Sequence, residues 1–322
     1  MQLAGVTLDS PFVAAPMAGV SHPAFRLLAK RGGAGLVYTE MVSAVGLDRG
    51  DRRTWILCQT LPAERPVALQ LFGADPAVME RAARLASRLP VDLLDLNLGC
   101  PVKKIRRQGA GSALLEDLGR ARELVAAAVA GSTLPVTVKI RLGPTRDDTG
   151  KIVPPLVAAG AAAVCLHART TRQAFSGRAD WGAIARLAAW CPVPVIGNGD
   201  VTTARGAVAL LKETGAAAVM IGRASRGDPW IFGRAAERLA GREPTPPDPL
   251  ARRADLKEHL DLALDLGGEG HAVHFLKQFI MYFTKGHQGA AAFRRAAGQA
   301  IELAELWRLV DEFWGRLAEE AA

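Results

Sequence analysis

Leu93-Leu-Asp-Leu-Asn-Leu-Gly-Cys-Pro101 is a short, mostly apolar run that stops in a Gly-Cys-Pro turn. Such a run reads as a buried strand. Seven more surround it, at residues 12–15, 36–40, 67–71, 136–140, 163–167, 194–197 and 218–221. Their starts lie 24 to 43 residues apart, the length of a strand, a returning helix and two loops. Repeated β–α units imply a parallel sheet buried on both faces, and eight of them close into a (β/α)8 TIM barrel. The intervening helices carry their own signals. Asp75-Pro76 pairs an N-cap with a first-position proline, and Thr202-Thr203 offers another cap. Gly33, Gly160 and Gly215 precede strands and suit left-handed helix ends.

The pattern changes at Arg242. Four prolines in residues 242–249 exclude helix and central strand, so 242–250 reads as a stiff linker. Beyond it the periodicity is helical. Leu256, Leu260 and Leu264 share one face, and Leu303, Leu306, Trp307, Val310, Phe313, Trp314 and Leu317 another. The expected architecture is a barrel over 1–241, the linker, and a small helical bundle over 251–322.

Composition is that of a globular protein, with 49% hydrophobic and 22% charged residues. Forty Lys+Arg against 32 Asp+Glu give a net charge of +8, compatible with a polyanionic partner but not diagnostic of one. Four cysteines without a C-x-x-C pair exclude a disulfide scaffold and a structural zinc site, and point to a reducing cytoplasm. Met1 to Ser10 lacks the features of a signal peptide. Residues 152–166 are apolar but too short to span a bilayer. The expectation is a cytoplasmic monomer with neither metal nor membrane contact.

Barrel chemistry sits at the C-terminal strand ends. Those ends carry Pro16-Met17-Ala18, Glu40, Gln70, Asn97 with Cys100, Lys139 with Arg141, His167 with Arg169, Asn198-Gly199-Asp200 and Gly222-Arg223. Polar groups at so many ends of one rim argue for a site rather than packing. Gly199, Gly222 and Arg223 suit a phosphate, although Asn-Gly alone is also a simple turn. Asp200 repels an anion, so its side chain is expected to cap the loop. Lys139 suits the electron-rich edge of a flavin; a salt bridge or a Schiff-base role is the alternative. Gln70 fits a uracil-like ring edge, Met17 a flat ring, and His167 either ring or substrate. Cys100, in a turn beside these groups, reads as a reactive thiol able to hold a proton, or else as an inert one.

Residues 95–104 and 109–115 resemble the signature of tRNA-dihydrouridine synthases. Ala15-Pro-Met-Ala-Gly19, Gln70, Val138-Lys-Ile-Arg141, His167-Ala-Arg-Thr170, Asn198-Gly-Asp200 and Ile221-Gly-Arg223 fall where that family has its flavin and substrate motifs. The resemblance runs from about residue 3 to the C-terminus and is nearest the bacterial B-type branch. It implies FMN held by Pro16, Met17, Ala18, Gln70, Asn97, Lys139, His167, Asn198, Gly199, Asp200, Gly222 and Arg223. It also implies NADPH as hydride donor, Cys100 as general acid, and tRNA as substrate. Leu142-Gly-Pro144 and Ala168 depart from the family pattern near the substrate side. For the RNA, the expected contacts are Lys103, Lys104, Arg141 and Arg169 at the mouth. Lys277, Lys285, Arg294 and Arg295 are expected to add to them in the helical part, in a stretch with His271, His274 and His287. From residue 251 on there are 9 Lys+Arg and 11 Asp+Glu, so any basic face there is one-sided. Two rivals stand: an FMN barrel acting on a free pyrimidine, and a non-catalytic RNA-binding barrel.

Overall fold

The computed structural model describes residues 1–245 and 248–321, apart from the side chains of residues 267, 269, 271 and 321. The eight runs are eight strands: β1 (Phe12–Ala14), β2 (Val37–Ser43), β3 (Val67–Phe72), β4 (Leu93–Asn97), β5 (Val136–Arg141), β6 (Val164–His167), β7 (Val195–Asn198) and β8 (Ala218–Ile221). From β2 to β8 each pairs in parallel with the next, and β8 returns to β1. The remaining seam, β1 to β2, is bridged by Gly35 N–H donating to Phe12 O (2.8 Å) and Ala14 N–H donating to Leu36 O (2.9 Å). The barrel is a (β/α)8 closure. Strand β2 runs three residues beyond expectation, because its register shifts between Tyr38 and Met41. The irregularity places Glu40 inside the strand rather than at its end.

Alternation along each strand divides the core in two. Outward-facing Leu69, Leu94, Leu96, Val138, Leu166 and Ile221 pack under the helices. Inward-facing Val13, Leu36, Ala68, Leu93, Ala163, Ile196 and Ala218 fill the lower barrel. An N-terminal hairpin (Gln2–Leu3 with Val6–Thr7) adds Leu3 and Leu8 to that inner cluster, at the N-terminal ends of the strands. The helix signals hold. Asp75 accepts from Val78 N–H (3.0 Å), and Thr203 from Gly206 N–H (3.0 Å). Gly33, Gly160 and Gly215 have φ of +92°, +102° and +65°.

Residues 246 and 247 of the expected linker lie outside the described residues. Asp248 caps the next helix by accepting from Ala251 N–H (2.8 Å), and Pro249 opens it. The helix therefore starts two residues before 251, since proline is well tolerated at a first helical position. This helix, Pro249–Phe283, is interrupted at Gly268 (φ +75°), and Ala290–Gln299 and Leu303–Ala321 follow. Leu306, Val310, Phe313, Trp314 and Leu317 are buried along the last helix, on the predicted stripe. An aromatic seam joins this helical region to the barrel. Phe25 meets Phe279 (ring centroids 5.9 Å apart), Trp230 meets Phe283 (5.8 Å), and His22 meets His259 (5.0 Å). Among the described residues no helix is long and apolar enough to cross a membrane.

Candidate active site

Above the apolar floor the inward positions turn polar. Asp95 and Asn97 of β4, Gln70 of β3, Thr137 and Lys139 of β5, His167 of β6 and Asn198 of β7 form this layer, two residues apart along each strand as the pleat requires. Asp95 lies lowest and is 1% exposed. Its Oδ2 accepts from Gln70 Nε2 (2.7 Å) and its Oδ1 from Thr137 Oγ1 (2.6 Å). Gln70 Oε1 accepts from Asn97 Nδ2 (2.9 Å), and Asn97 Oδ1 accepts from the N–H groups of Gly99 (3.2 Å) and Cys100 (2.9 Å). Burial pushes the Asp95 carboxyl up to about 6, against the opposing pull of Gln70, Thr137 and Lys139.

The Cys100 turn is fastened from its other side too. Ser112 N–H donates to Cys100 O (3.0 Å), and Arg141 Nε to Gly99 O (2.8 Å). Gly111 lets the loop fold over the turn, because a Cβ there would lie 2.8 Å from Cys100 O. The thiol is free and half-buried. The other cysteines differ: burial drives Cys58 to about 11 and Cys165 to about 12, so both stay protonated and inert.

Lys139 Nζ donates to Asn198 Oδ1 (3.3 Å), and Asn198 is itself held by donating to Met220 O (2.8 Å). Lys139 has no carboxylate within 4.0 Å among the described residues, so the salt-bridge alternative is not realised. A half-buried ammonium with one neutral acceptor suits an electron-rich ring edge. His167 is driven down to about 2 by burial, reinforced by Lys139, Arg141, Arg169 and Arg223, and is a neutral imidazole. At the β7–β8 end, Gly199 (φ +136°) packs so tightly that a Cβ would lie 2.6 Å from Ala179 Cβ. Gly222 starts a short 3-10 turn, Arg223–Arg226, and leaves the Arg223 side chain 57% exposed. These glycines and this guanidinium fit a phosphate. Asp200 caps the loop as expected. Burial pushes its carboxyl up, but Ala179 N–H (2.7 Å) and Arg169 (2.7 Å) hold it below the usual range.

The loop after β1 brings Pro16 and Met17 half-buried and Ala18 exposed to the same rim. Glu40 accepts from Gly19 N–H there, while burial raises its carboxyl. Arg141 and Arg169, expected on the RNA side, are 2% exposed, Arg141 bound to backbone and Arg169 to backbone and the Asp200 carboxylate. Arg141 donates to Thr170 O (3.1 Å) and Ala174 O (2.7 Å), and Arg169 to Ser176 O (3.0 Å) and Gly177 O (2.7 Å). Their partners lie in the loop after β6, which the sequence does not pair with them. Lys103 and Lys104 are exposed beside the Cys100 turn. In the helical region Lys285 and Arg295 are exposed, Lys277 donates to Gly298 O (3.0 Å), and Arg294 to Thr284 Oγ1 (3.3 Å). His274 is exposed, and the His271 side chain lies outside the described residues. Phe175 was missed by the sequence reading. It is 57% exposed at the mouth, with the guanidinium carbons of Arg141 and Arg223 at 5.4 and 5.6 Å from its ring centroid.

Fold and rim together define a (β/α)8 barrel with a thiol, an ammonium and an anion-suited turn at its strand ends. The sequence profile described as Dihydrouridine synthase (Dus) matches residues 13–316. tRNA-dihydrouridine synthase B of Xanthomonas axonopodis pv. citri is 36% identical over 303 residues, 93% of this chain and 91% of that protein. A probable tRNA-dihydrouridine synthase of Mycobacterium tuberculosis is 37% identical over 334 residues, covering 98% and 85%. One of Rickettsia conorii is 33% identical over 326 residues, covering 99% and 98%. The chain belongs to the dihydrouridine synthase family of enzymes.

Proposed function

We propose that this protein is a tRNA-dihydrouridine synthase that uses FMN and NADPH. The observation that carries the reading is the pinned, half-buried Cys100 thiol on the same rim as Lys139, which has no carboxylate within 4.0 Å among the described residues, and the Gly222-Arg223 turn. FMN reduced by NADPH supplies the hydride for C6 of the uracil. Gly199, Gly222 and Arg223 hold the phosphate, with Asp200 kept out of its way by Arg169. Lys139, Asn198 and His167 line the ring, with Pro16, Met17 and Ala18 against it. Gln70 would meet that ring with what its amide has left, the second Nε2 hydrogen and the second Oε1 lone pair.

Cys100 holds the proton that C5 receives, at a distance set by its fastened turn. The uridine must leave its stack to enter a barrel mouth. Phe175 offers an exposed ring face on which a base can stack. Arg141 and Arg169 shape the loop that carries Phe175 rather than touching RNA. Lys103 and Lys104, with Lys277, Lys285, Arg294 and Arg295 of the helical region, meet the phosphate backbone. The barrel over 1–241 does the chemistry, and the helices beyond the proline-rich stretch grip the tRNA.

The test is purification followed by assay. A yellow protein that converts uridine to dihydrouridine in tRNA with NADPH is the expected result. A colourless protein, or one that reduces free uracil or orotate but not tRNA, overturns the reading.

A further inference from the structure

We propose that Asp95 is a positioning residue for Cys100, acting through a hydrogen-bond relay of fixed polarity. The inference rests on Cys100 being the proton donor. The polarity follows from the backbone. The N–H groups of Gly99 and Cys100 can only donate, so Asn97 must present Oδ1 to them. Asn97 Nδ2 then faces Gln70, which must present Oε1. Gln70 Nε2 is left facing position 95, which must accept. A carboxylate meets that demand with one oxygen and takes Thr137 Oγ1 with the other.

An aliphatic side chain fills the interior of a barrel at lower cost than a buried carboxylate. Asp95 is retained here at the head of a chain that ends on the Cys100 turn. Remove its acceptor, and the Gln70 amide is free to turn over. That reversal sets two NH2 groups against each other, turns Asn97, and strips Cys100 N–H of its partner. Fully satisfied buried networks rigidify, whereas partly satisfied ones loosen what they hold.

The relay predicts a specific pattern of loss and rescue in the flavin-loaded enzyme. Gln70→Glu sets two carboxylates against each other. Adding Asp95→Asn restores every donor and acceptor: the new amide at position 95 donates to the new carboxylate at position 70 and accepts from Thr137. Gln70→Glu is expected to lower kcat on tRNA about tenfold or more, with KM within about threefold. The double variant should recover at least about fivefold of that loss. In a Cys100→Ala background, the loss caused by Gln70→Glu should be at least about fivefold smaller than in the unmodified enzyme, since the relay acts through the thiol.

Should Gln70→Glu fail to fold, Asp95→Asn reads the same polarity. Alone it keeps kcat within about threefold, because Thr137 can turn its hydroxyl to Leu94 O (3.4 Å) and accept the new amide. Combined with Thr137→Val it should lose about tenfold. A double variant no better than Gln70→Glu, or an equal loss in the Cys100→Ala background, overturns the relay. Bound flavin and dihydrouridine formation by the unmodified enzyme test the underlying reading separately.

Discussion

Arg169 donates through one nitrogen to both carboxylate oxygens of Asp200, at 2.7 and 2.8 Å, although the arginine side chain is only 2% exposed. The pair turns an acidic residue beside the proposed phosphate site into a neutral anchor. Arg223 stays 3.8 Å from the same carboxylate and keeps its charge toward the mouth. Arg169→Ala leaves Asp200 without its buried partner. It should lower stability by about 2–3 kcal/mol. FMN binding should weaken on the order of tenfold, about 1.4 kcal/mol. Unchanged FMN affinity by fluorescence titration contradicts this.

Cys100→Ala should retain its flavin absorption and lose tRNA reduction by roughly 10²–10⁴, the range for a general acid. NADPH oxidation in single turnover should persist, because that half-reaction does not use the thiol. Full dihydrouridine yield in the variant sinks the assignment.

Two histidines, half-buried His167 at the rim and fully buried His259, lower stability in acid. Burial drives His167 down to about 2 and His259 to about 3, from an ordinary 6.5. Below 6.5 the unfolded chain binds protons that the folded one refuses, so stability falls as pH drops. Each site contributes roughly 1.4 kcal/mol per pH unit until its folded value is reached. Asp95 runs the other way. Raised from 3.8 to about 6, it costs stability above that value, and protonation recovers this between 6 and 3.8. Summed over these three groups, the slope from pH 6 to 4 is a loss. His259→Phe should flatten it, as read by urea midpoints; an unchanged slope excludes His259 as a source.

Gly227 lies so close to the long C-terminal helix that a Cβ would stand 2.4 Å from Tyr282 O. Arg226 bonds Tyr282 Oη (2.7 Å), with its guanidinium 3.9 Å above the ring. Gly227→Ala should force this contact apart at a cost of about 1–3 kcal/mol. Faster amide exchange in both the 222–230 loop and the Tyr282 turn is the expected signature; exchange confined to one side argues against a shared contact.

Replacing Lys103 and Lys104 with alanine should weaken tRNA binding and reduce the slope of log affinity against log salt by about 1–2. Filter binding across a salt series measures it. An unaltered slope removes these lysines from the interface.

The fold was legible because parallel strands buried on both faces read as continuous apolar runs. Phe12, Val67, Leu93, Val136 and Ala218 open strands where they were expected to. Only β2 departs by more than one residue, through a register shift that no propensity encodes. Strand-end placement was legible for Cys100, Lys139 and Asn198 because barrels concentrate polar groups there. Asp95 was not, since its meaning depends on partners 25 and 42 residues away on adjacent strands. The misjudged roles of Arg141 and Arg169 share that cause: a guanidinium that binds carbonyls of a distant loop looks, in sequence, like one free for phosphate.

The N-terminal hairpin puts Leu3 and Leu8 against the inward side chains at the far end of the strands. A stoppered cylinder has one doorway. On the flavin reading, the nicotinamide donor and the RNA must queue for it, one leaving before the other arrives. Parallel lines in double-reciprocal plots of rate against each substrate are the kinetic trace of that queue, and intersecting lines would mean a second entrance.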